Sequence, residues 1–412
     1  MNVKSDIKII KGSITSPNGF KATGKHTGLK KYKKDLAIIF SEVPANTAAV
    51  FTTNIVKAAC VLWNQKIVKM QPGVQAIVVN SGNANACTGD EGITNNETMA
   101  EITAKSLGLK KEQVLVASTG VIGVSLPMDT IKTGIEMLCP ELGNSDEDGK
   151  NAAESIMTTD TFSKEIAVEF EIQGKTVKIA GMAKGSGMIH PNMATMLAFL
   201  TTDINITTEL LDKALKETVT DSYNMISVDG DTSTNDMVTI LANGKAKNQL
   251  ISEENEDYKV FREALNTVNT HLAQQIIKDG EGATKFLEAQ IHGATTKDEA
   301  RKLAKSIISS SLVKAAFFGE DANWGRIIAA MGYSGAYFDQ TKVGISFSNN
   351  TGSIVVMQNG MPIKFDEDEA LKILKEKDIK IIVNLQDGGA EATAWGCDLS
   401  YEYVKINGEY RT

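Results

Sequence analysis

The 412-residue sequence predicts a mixed α/β fold, on three observations. Short β-rich runs bounded by Gly, Asn and Ser recur through the first half of the chain. Amphipathic stretches with apolar residues three or four apart lie between and after them. No internal repeat or low-complexity tract suggests a solenoid or a disordered chain instead.

In chain order, strands are predicted at 36–40, 47–51, 76–80 and 114–118. A helix is predicted over 95–107, where Ala100, Ala104 and Leu107 share a face, and a shorter one at 150–157. Residues 166–170 and 176–180 read as a hairpin turning at Ile172-Gln173-Gly174. Over 208–219, Leu210, Leu211, Ala214, Leu215 and Val219 form one apolar stripe behind a Thr able to cap it. A longer helix at 257–278 repeats the pattern with Val260, Phe261, Ala264, Leu265, Val268 and Leu272. The polar stretch 245–257 is read as a boundary between a first domain, 1–245, and a second α/β domain, 246–412. The second domain carries predicted strands at 288–292, 343–347, 354–357 and 379–385 and helices at 297–309 and 366–376.

Composition narrows the function classes. With 42% hydrophobic and 23% charged residues the chain can bury a sizeable core. Its 43 Lys and Arg against 51 Asp and Glu give a net charge of −8, which lacks the positive field that nucleic acid or an anionic membrane requires. No segment reaches the ~18 apolar residues of a membrane span, and the first residues show no secretory core, so a cytoplasmic protein is expected. Cys60, Cys87, Cys139 and Cys397 have no CxxC spacing, and the four histidines form no HxxH pair, so neither a disulfide framework nor a metal centre is predicted.

One stretch stands apart: Lys184-Gly-Ser-Gly-Met-Ile-His190-Pro-Asn-Met-Ala194-Thr195-Met-Leu197. Its glycines allow close backbone approach, Pro191 ends regular structure, and the apolar run after Ala194 asks for burial. An N-to-O acyl shift at Ala194-Thr195 followed by hydrolysis would leave Thr195 with a free α-amine. That amine, of reference pKa about 7.7–8.0, can take the proton of the neighbouring Oγ, so a nucleophile is made without histidine. The residues permit this chemistry without demanding it, since a Thr opening a buried strand fits them as well. Ser118-Thr119-Gly120 after an apolar strand could aim donors at a developing oxyanion; it could equally be an ordinary turn. Lys184 between glycines and Glu281 in a Gly-rich loop could hold a zwitterion, or could be solvated surface charges.

The segment KGSGMIHPNMATML resembles the autocleavage segment of the ornithine acetyltransferase family, the bifunctional glutamate N-acetyltransferases of arginine biosynthesis. The resemblance extends to SGNANACTGDEG at 81–92, STGVIG at 118–123, IMTTDTF at 156–162, SVDGDTSTND at 227–236, GEGATK at 280–285, ANWGRI at 322–327 and INGEYRT at 406–412. It implies an αββα sandwich of two sheets flanked by helices with a second C-terminal α/β domain. Cleavage between Ala194 and Thr195 would give chains 1–194 and 195–412, assembled as a heterotetramer of two of each. It implies Thr195 as nucleophile, Thr119 and Gly120 as the oxyanion hole, and Thr158, Lys184, Thr195, Glu281, Asn407 and Thr412 as substrate contacts. The implied reaction is ping-pong acetyl transfer from N2-acetylornithine to L-glutamate, with acetyl-CoA a second donor in bifunctional members and no cofactor or metal. One departure is Ser163, where the family commonly has proline.

Other readings remain at this stage. A self-processing aminopeptidase or amidase uses the same kind of nucleophile and differs in taking water as acceptor. A non-catalytic binding protein for ornithine or acetylated amino acids would keep Thr195 internal. Asp229-Gly-Asp231-Thr-Ser-Thr-Asn235-Asp236 has the wrong glycine position for a calcium loop and no distal Glu, and the resemblance implies a structural turn near the active centre instead. His190 is read as packing the loop, and Trp324 and Trp395 as packing aromatics.

Overall fold

The computed structural model describes residues 6–190 and 196–409. Among these the strands form two sheets. The larger has nine strands, in the order Lys8–Ile10, Lys164–Ile172, Lys175–Lys184, Leu197–Thr202, Met237–Ala242, Leu36–Phe51, Val74–Asn83 and Val114–Val121, with Phe20–Lys25 also on Leu36–Phe51. The seven-stranded sheet runs Met361–Pro362, Gly352–Gln358, Gly344–Asn349, Asp378–Asn384, Phe286–Ala294, Ala390–Cys397 and Ile226–Ser227.

The 16-residue strand Leu36–Phe51 organises the larger sheet. Its first half pairs with Phe20–Lys25 and Val74–Asn83, and its second half with Met237–Ala242. The predicted strands at 36–40 and 47–51 are therefore one strand, interrupted where its register against Val74–Asn83 shifts between Phe40 and Ala45. Pro44, which has no N–H to donate, lies in that interruption. The strand thus passes from one layer into a second. Met182, Leu197, Phe199, Met237 and Leu241 share a core with Ile38, Ile77 and Leu115 of the other layer. The alternate residues Ala198, Leu200, Val238 and Ile240 face the other core, with helices Thr208–Thr220 and Glu256–Lys278. Helices Gly89–Leu107, Met128–Leu138 and Asp146–Ser155 cover the first layer. The result is the αββα sandwich, beside which the seven-stranded sheet carries helix Lys297–Ser309.

Local sequence explains the boundaries. The hairpin closes at Gln173-Gly174, both with positive φ (53° and 70°), so Ile172 pairs with Lys175 across the two-residue turn that right-twisted strands prefer. Ser145 caps Asp146–Ser155 by accepting from the Asp148 N–H, while the Asp148 carboxylate accepts from the Ser145 N–H. Thr207 and Asn255 cap the next two long helices by accepting from the N–H groups of Leu210 and Tyr258. Contacts cross position 245 in both directions. Helix Glu256–Lys278 packs on Lys164–Ile172 and Lys175–Lys184, and Ile226–Ser227 pairs with Ala390–Cys397 of the smaller sheet.

Phe261, fully buried in the core beneath helix Glu256–Lys278, is the side chain through which that helix is best tested. Phe261→Ala should lower stability by about 3–5 kcal/mol, seen as a reduced urea midpoint.

Candidate functional site

A cavity of about 350 Å³ opens where the strand ends of the sandwich meet the turn after helix Glu256–Lys278. Six of the residues expected from sequence line it: Thr119, Gly120, Thr158, Lys184, Glu281 and Asn407. The other three, Ala194, Thr195 and Thr412, lie outside the described residues, although Met196 and Leu197, which follow Thr195, form part of the wall.

Thr119 and Gly120 close the strand Val114–Val121, where Gly120 takes φ +132°. A Cβ there would lie 2.3 Å from the Gly82 carbonyl carbon and 2.5 Å from the Asn83 nitrogen, so only glycine fits between the paired strands. The turn is fixed from behind. Asn235 Nδ2 donates to the carbonyls of Ala84 (2.6 Å) and Ser118 (2.8 Å), and Ser118 Oγ donates to Asn80 Oδ1 at 2.6 Å.

Lys184 ends its strand with its side chain buried, and its Nζ donates to Thr119 Oγ1 at 3.4 Å. Burial lowers its pKa below the usual lysine value, and the nearby Asp160 carboxylate opposes that shift. Asp160 belongs to a dry ionic cluster. The fully buried Lys164 ammonium donates to Asp160 Oδ1 at 2.7 Å and to Asp279 Oδ2 at 2.5 Å. Burial alone would raise the Asp160 pKa, but Lys164, Lys184 and the Gly185 N–H outweigh it and hold the carboxyl well below the usual range. The same carboxylate accepts from the Gly185 N–H (2.7 Å) and the Thr158 N–H (2.9 Å). Asp279 accepts from both the N–H and hydroxyl of Thr161. One cluster therefore locates Thr158, the Lys184-Gly185 turn and the end of the long helix.

Glu281 follows that helix, with its N–H donating to the Ser186 carbonyl at 2.9 Å. Its carboxylate lies against Gly187, where an added Cβ would fall 2.3 Å from Oε2, and it accepts from Asn407 Nδ2 at 2.8 Å. Asn407 stands on the short helix Tyr401–Glu409, which also brings Tyr403 to the cavity.

The segment expected as a structural turn near the active centre supplies much of the wall: Asp229, Asp231, Ser233, Thr234, Asn235 and Asp236. Asp229 accepts from the N–H groups of Met188 (2.6 Å) and Ile189 (2.8 Å), which anchors the loop leading to Pro191. The lining thus sets one ammonium, Lys184, among the carboxyls Asp229, Asp231, Asp236 and Glu281, which suits a ligand bearing both a carboxylate and an ammonium group. His190 faces a different cleft, with Nδ1 3.0 Å from Ser227 Oγ and its pKa lowered to about 4 by burial and Lys305, against Asp229. Among the described residues no group of three or more His, Cys, Asp and Glu is placed to hold a metal, and no helix is long and apolar enough to cross a membrane.

The sequence profile of the ArgJ family matches residues 21–412. The chain belongs to the ArgJ family. The arginine biosynthesis bifunctional protein ArgJ 1 of Clostridium acetobutylicum is 56% identical over 408 residues, covering 98% of this chain and 99% of that one. The ArgJ protein of Caldanaerobacter subterraneus is 54% identical over 406 residues, covering 98% and 100%. A crystallised ArgJ chain from Bacillus halodurans, 45% identical, overlaps 46% of this chain and all of its own, with a TM-score of 0.45. As an ArgJ protein the chain is an acyltransferase of arginine biosynthesis.

The ionic cluster makes Asp160 testable. Because its carboxyl titrates below the ordinary range of about 3.9, its contribution is complete above that pH and is lost only as pH falls through the lower folded value. Asp160→Asn, which strips one partner from a buried ammonium, should cost about 3 kcal/mol. Denaturation midpoints should show the same deficit from pH 5 to pH 8, shrinking in stronger acid.

Proposed function

We propose that this ArgJ protein is a glutamate N-acetyltransferase that moves acetyl from N2-acetylornithine to L-glutamate through an acetyl-threonine at Thr195. One observation carries the reading: Thr119, Gly120, Thr158, Lys184, Glu281 and Asn407, scattered over nearly three hundred residues of sequence, line a single cavity whose wall includes Met196, covalently next to Thr195.

In this mechanism the Ala194-Thr195 bond is cut first, giving chains 1–194 and 195–412. The α-amine of Thr195 takes the Oγ proton, and Oγ attacks the acetyl carbonyl. The Thr119 hydroxyl and the Gly120 N–H stabilise the oxyanion, with the buried Lys184 ammonium beside Thr119 reinforcing the positive potential there. The resulting ammonium protonates the departing nitrogen of ornithine. Glutamate then enters the same cavity, attacks the ester as a free amine and returns the enzyme to its starting state. Lys184 and Glu281 offer opposite charges to a zwitterionic amino acid, while Asn407 steadies the Glu281 carboxylate, and Thr158 and Thr412 complete the contacts. Acetyl-CoA is a second donor if the chain is a bifunctional member, no cofactor or metal takes part, and the cleaved chains assemble two and two in the cytoplasm.

Intact-mass analysis should find two polypeptides in wild type, the second beginning at Thr195, and one uncut chain in Thr195→Ala. Incubation with acetylornithine should add one acetyl group to the 195–412 chain, and parallel initial-rate lines should follow. A single wild-type chain with full activity would refute the mechanism, and release of free acetate in place of acetylglutamate would identify an amidase. Glu281→Gln should process normally but raise the KM for acetylornithine on the order of 10–100-fold, the worth of a charged hydrogen bond.

A further inference from the structure

The proposed acetyl transfer leaves a proton unaccounted for, and the cavity holds a group suited to it. Acetylornithine carries one hydrogen on its amide nitrogen, and ornithine departs as an ammonium with three. Glutamate arrives as an ammonium with three and keeps one. Two protons therefore cross from the acceptor nitrogen to the donor nitrogen in each cycle. The Thr195 amine passes the Oγ proton and so serves for one of them. The other is exchanged with solvent or is kept by a store inside the cavity between the two half-reactions.

Asp236 is placed to be that store. It lines the cavity, is 3% exposed, and its Oδ2 is buried without a hydrogen-bond partner among the described residues. Buried polar atoms are rarely left so, and a carboxyl on a cavity wall with an oxygen free of partners can carry a proton. Its neighbours fix its location beside the proposed chemistry. Asn235 holds the Ser118 carbonyl next to Thr119, and the Met237 N–H donates to the Met196 carbonyl at 3.0 Å, with Met237 and Leu197 in register on parallel strands. The Thr52 N–H donates to the Asp236 carbonyl at 3.0 Å, and Ser233 and Thr52 side chains support its carboxyl. Lys184 supplies the facing positive charge, with Asp229, Asp231 and Glu281 elsewhere on the lining.

We propose that Asp236 is the second proton carrier of the transfer, resting on Thr195 acylation as described above. When the ornithine nitrogen leaves as a neutral amine, the Asp236 O–H bond breaks and a new N–H bond forms, giving the ammonium and an Asp236 carboxylate. The carboxylate persists through the acetyl-enzyme, balanced by the Lys184 ammonium. The incoming glutamate ammonium then loses a proton to it, restoring the carboxylic acid and freeing the lone pair that attacks the ester. Burial pushes this carboxyl well above the usual carboxylate range, the direction that favours the acid form the step starts from.

The test compares two acceptors on the self-cleaved, acetylated enzyme at pH 7. Asp236→Asn keeps the shape and hydrogen-bonding capacity of the side chain but cannot carry a proton. Deacetylation by glutamate should slow on the order of 10²-fold, whereas deacetylation by hydroxylamine, which arrives unprotonated, should keep the wild-type rate. Equal losses with both acceptors, or no loss with glutamate, would overturn the proposal. Should the variant fail to fold or process, wild type decides: a pH indicator should register no net proton uptake as acetylornithine acylates the enzyme. Uptake of one proton per acetyl group would rule out an internal store. Failure of wild type to form any acetylated 195–412 chain would reject the Thr195 reading itself, and this inference with it.

Discussion

The site depends on a salt cluster that water does not reach. Lys164 shares its ammonium between Asp160 and Asp279, and the surplus negative charge is met by Lys184 and by backbone N–H donors. Charges taken from water must be matched closely or the structure loses more in desolvation than it gains in attraction. Here the matching partners come from the segment before the hairpin, the strand ending in Lys184 and the end of the long helix. None of the three can shift without uncovering a charge. That is how loops rich in glycine and threonine, with little apolar surface of their own, keep a defined shape around a solvent-filled space.

Much of the fold was legible from local pattern. The stripe through Leu211, Ala214 and Leu215 and the Gln173-Gly174 turn specify their elements because neighbours in sequence are neighbours in space. The misses have physical causes. Helices Ala59–Met70, Ser311–Phe318 and Trp324–Gly332 are short or apolar on more than one face, which blurs the period. The strand Leu36–Phe51 was divided because the residues around Pro44 do not read as strand, although partners on either side carry it through. Which strands lie side by side, and that the larger sheet folds into two layers, are long-range facts that no local window holds.

For the site, resemblance contributed more than residue chemistry. Taken alone, Thr119, Lys184 and Glu281 are unremarkable side chains, and only the cavity explains why they belong together. Asp236 has no sign of its own in the sequence, because the resemblance implies only a structural turn near the active centre for its segment. The useful signal was the density of polar residues immediately before an apolar strand, Met237–Ala242, which buries carboxyl and amide groups at a strand end. Tyr403 lies ahead of INGEYRT, the motif that brings Asn407 to the site, and carries no motif of its own.

The central position of the strand Leu197–Thr202 carries a consequence for the molecule as a physical object. It lies between Lys175–Lys184 on one side and Met237–Ala242 on the other, and the latter pairs in turn with Leu36–Phe51. A break just ahead of this strand would thus yield two polypeptides within one ladder, the first supplying strands on both sides of two strands of the second. Such halves could not part while the sheet persisted, because the two strands of the second are held on both edges by strands of the first.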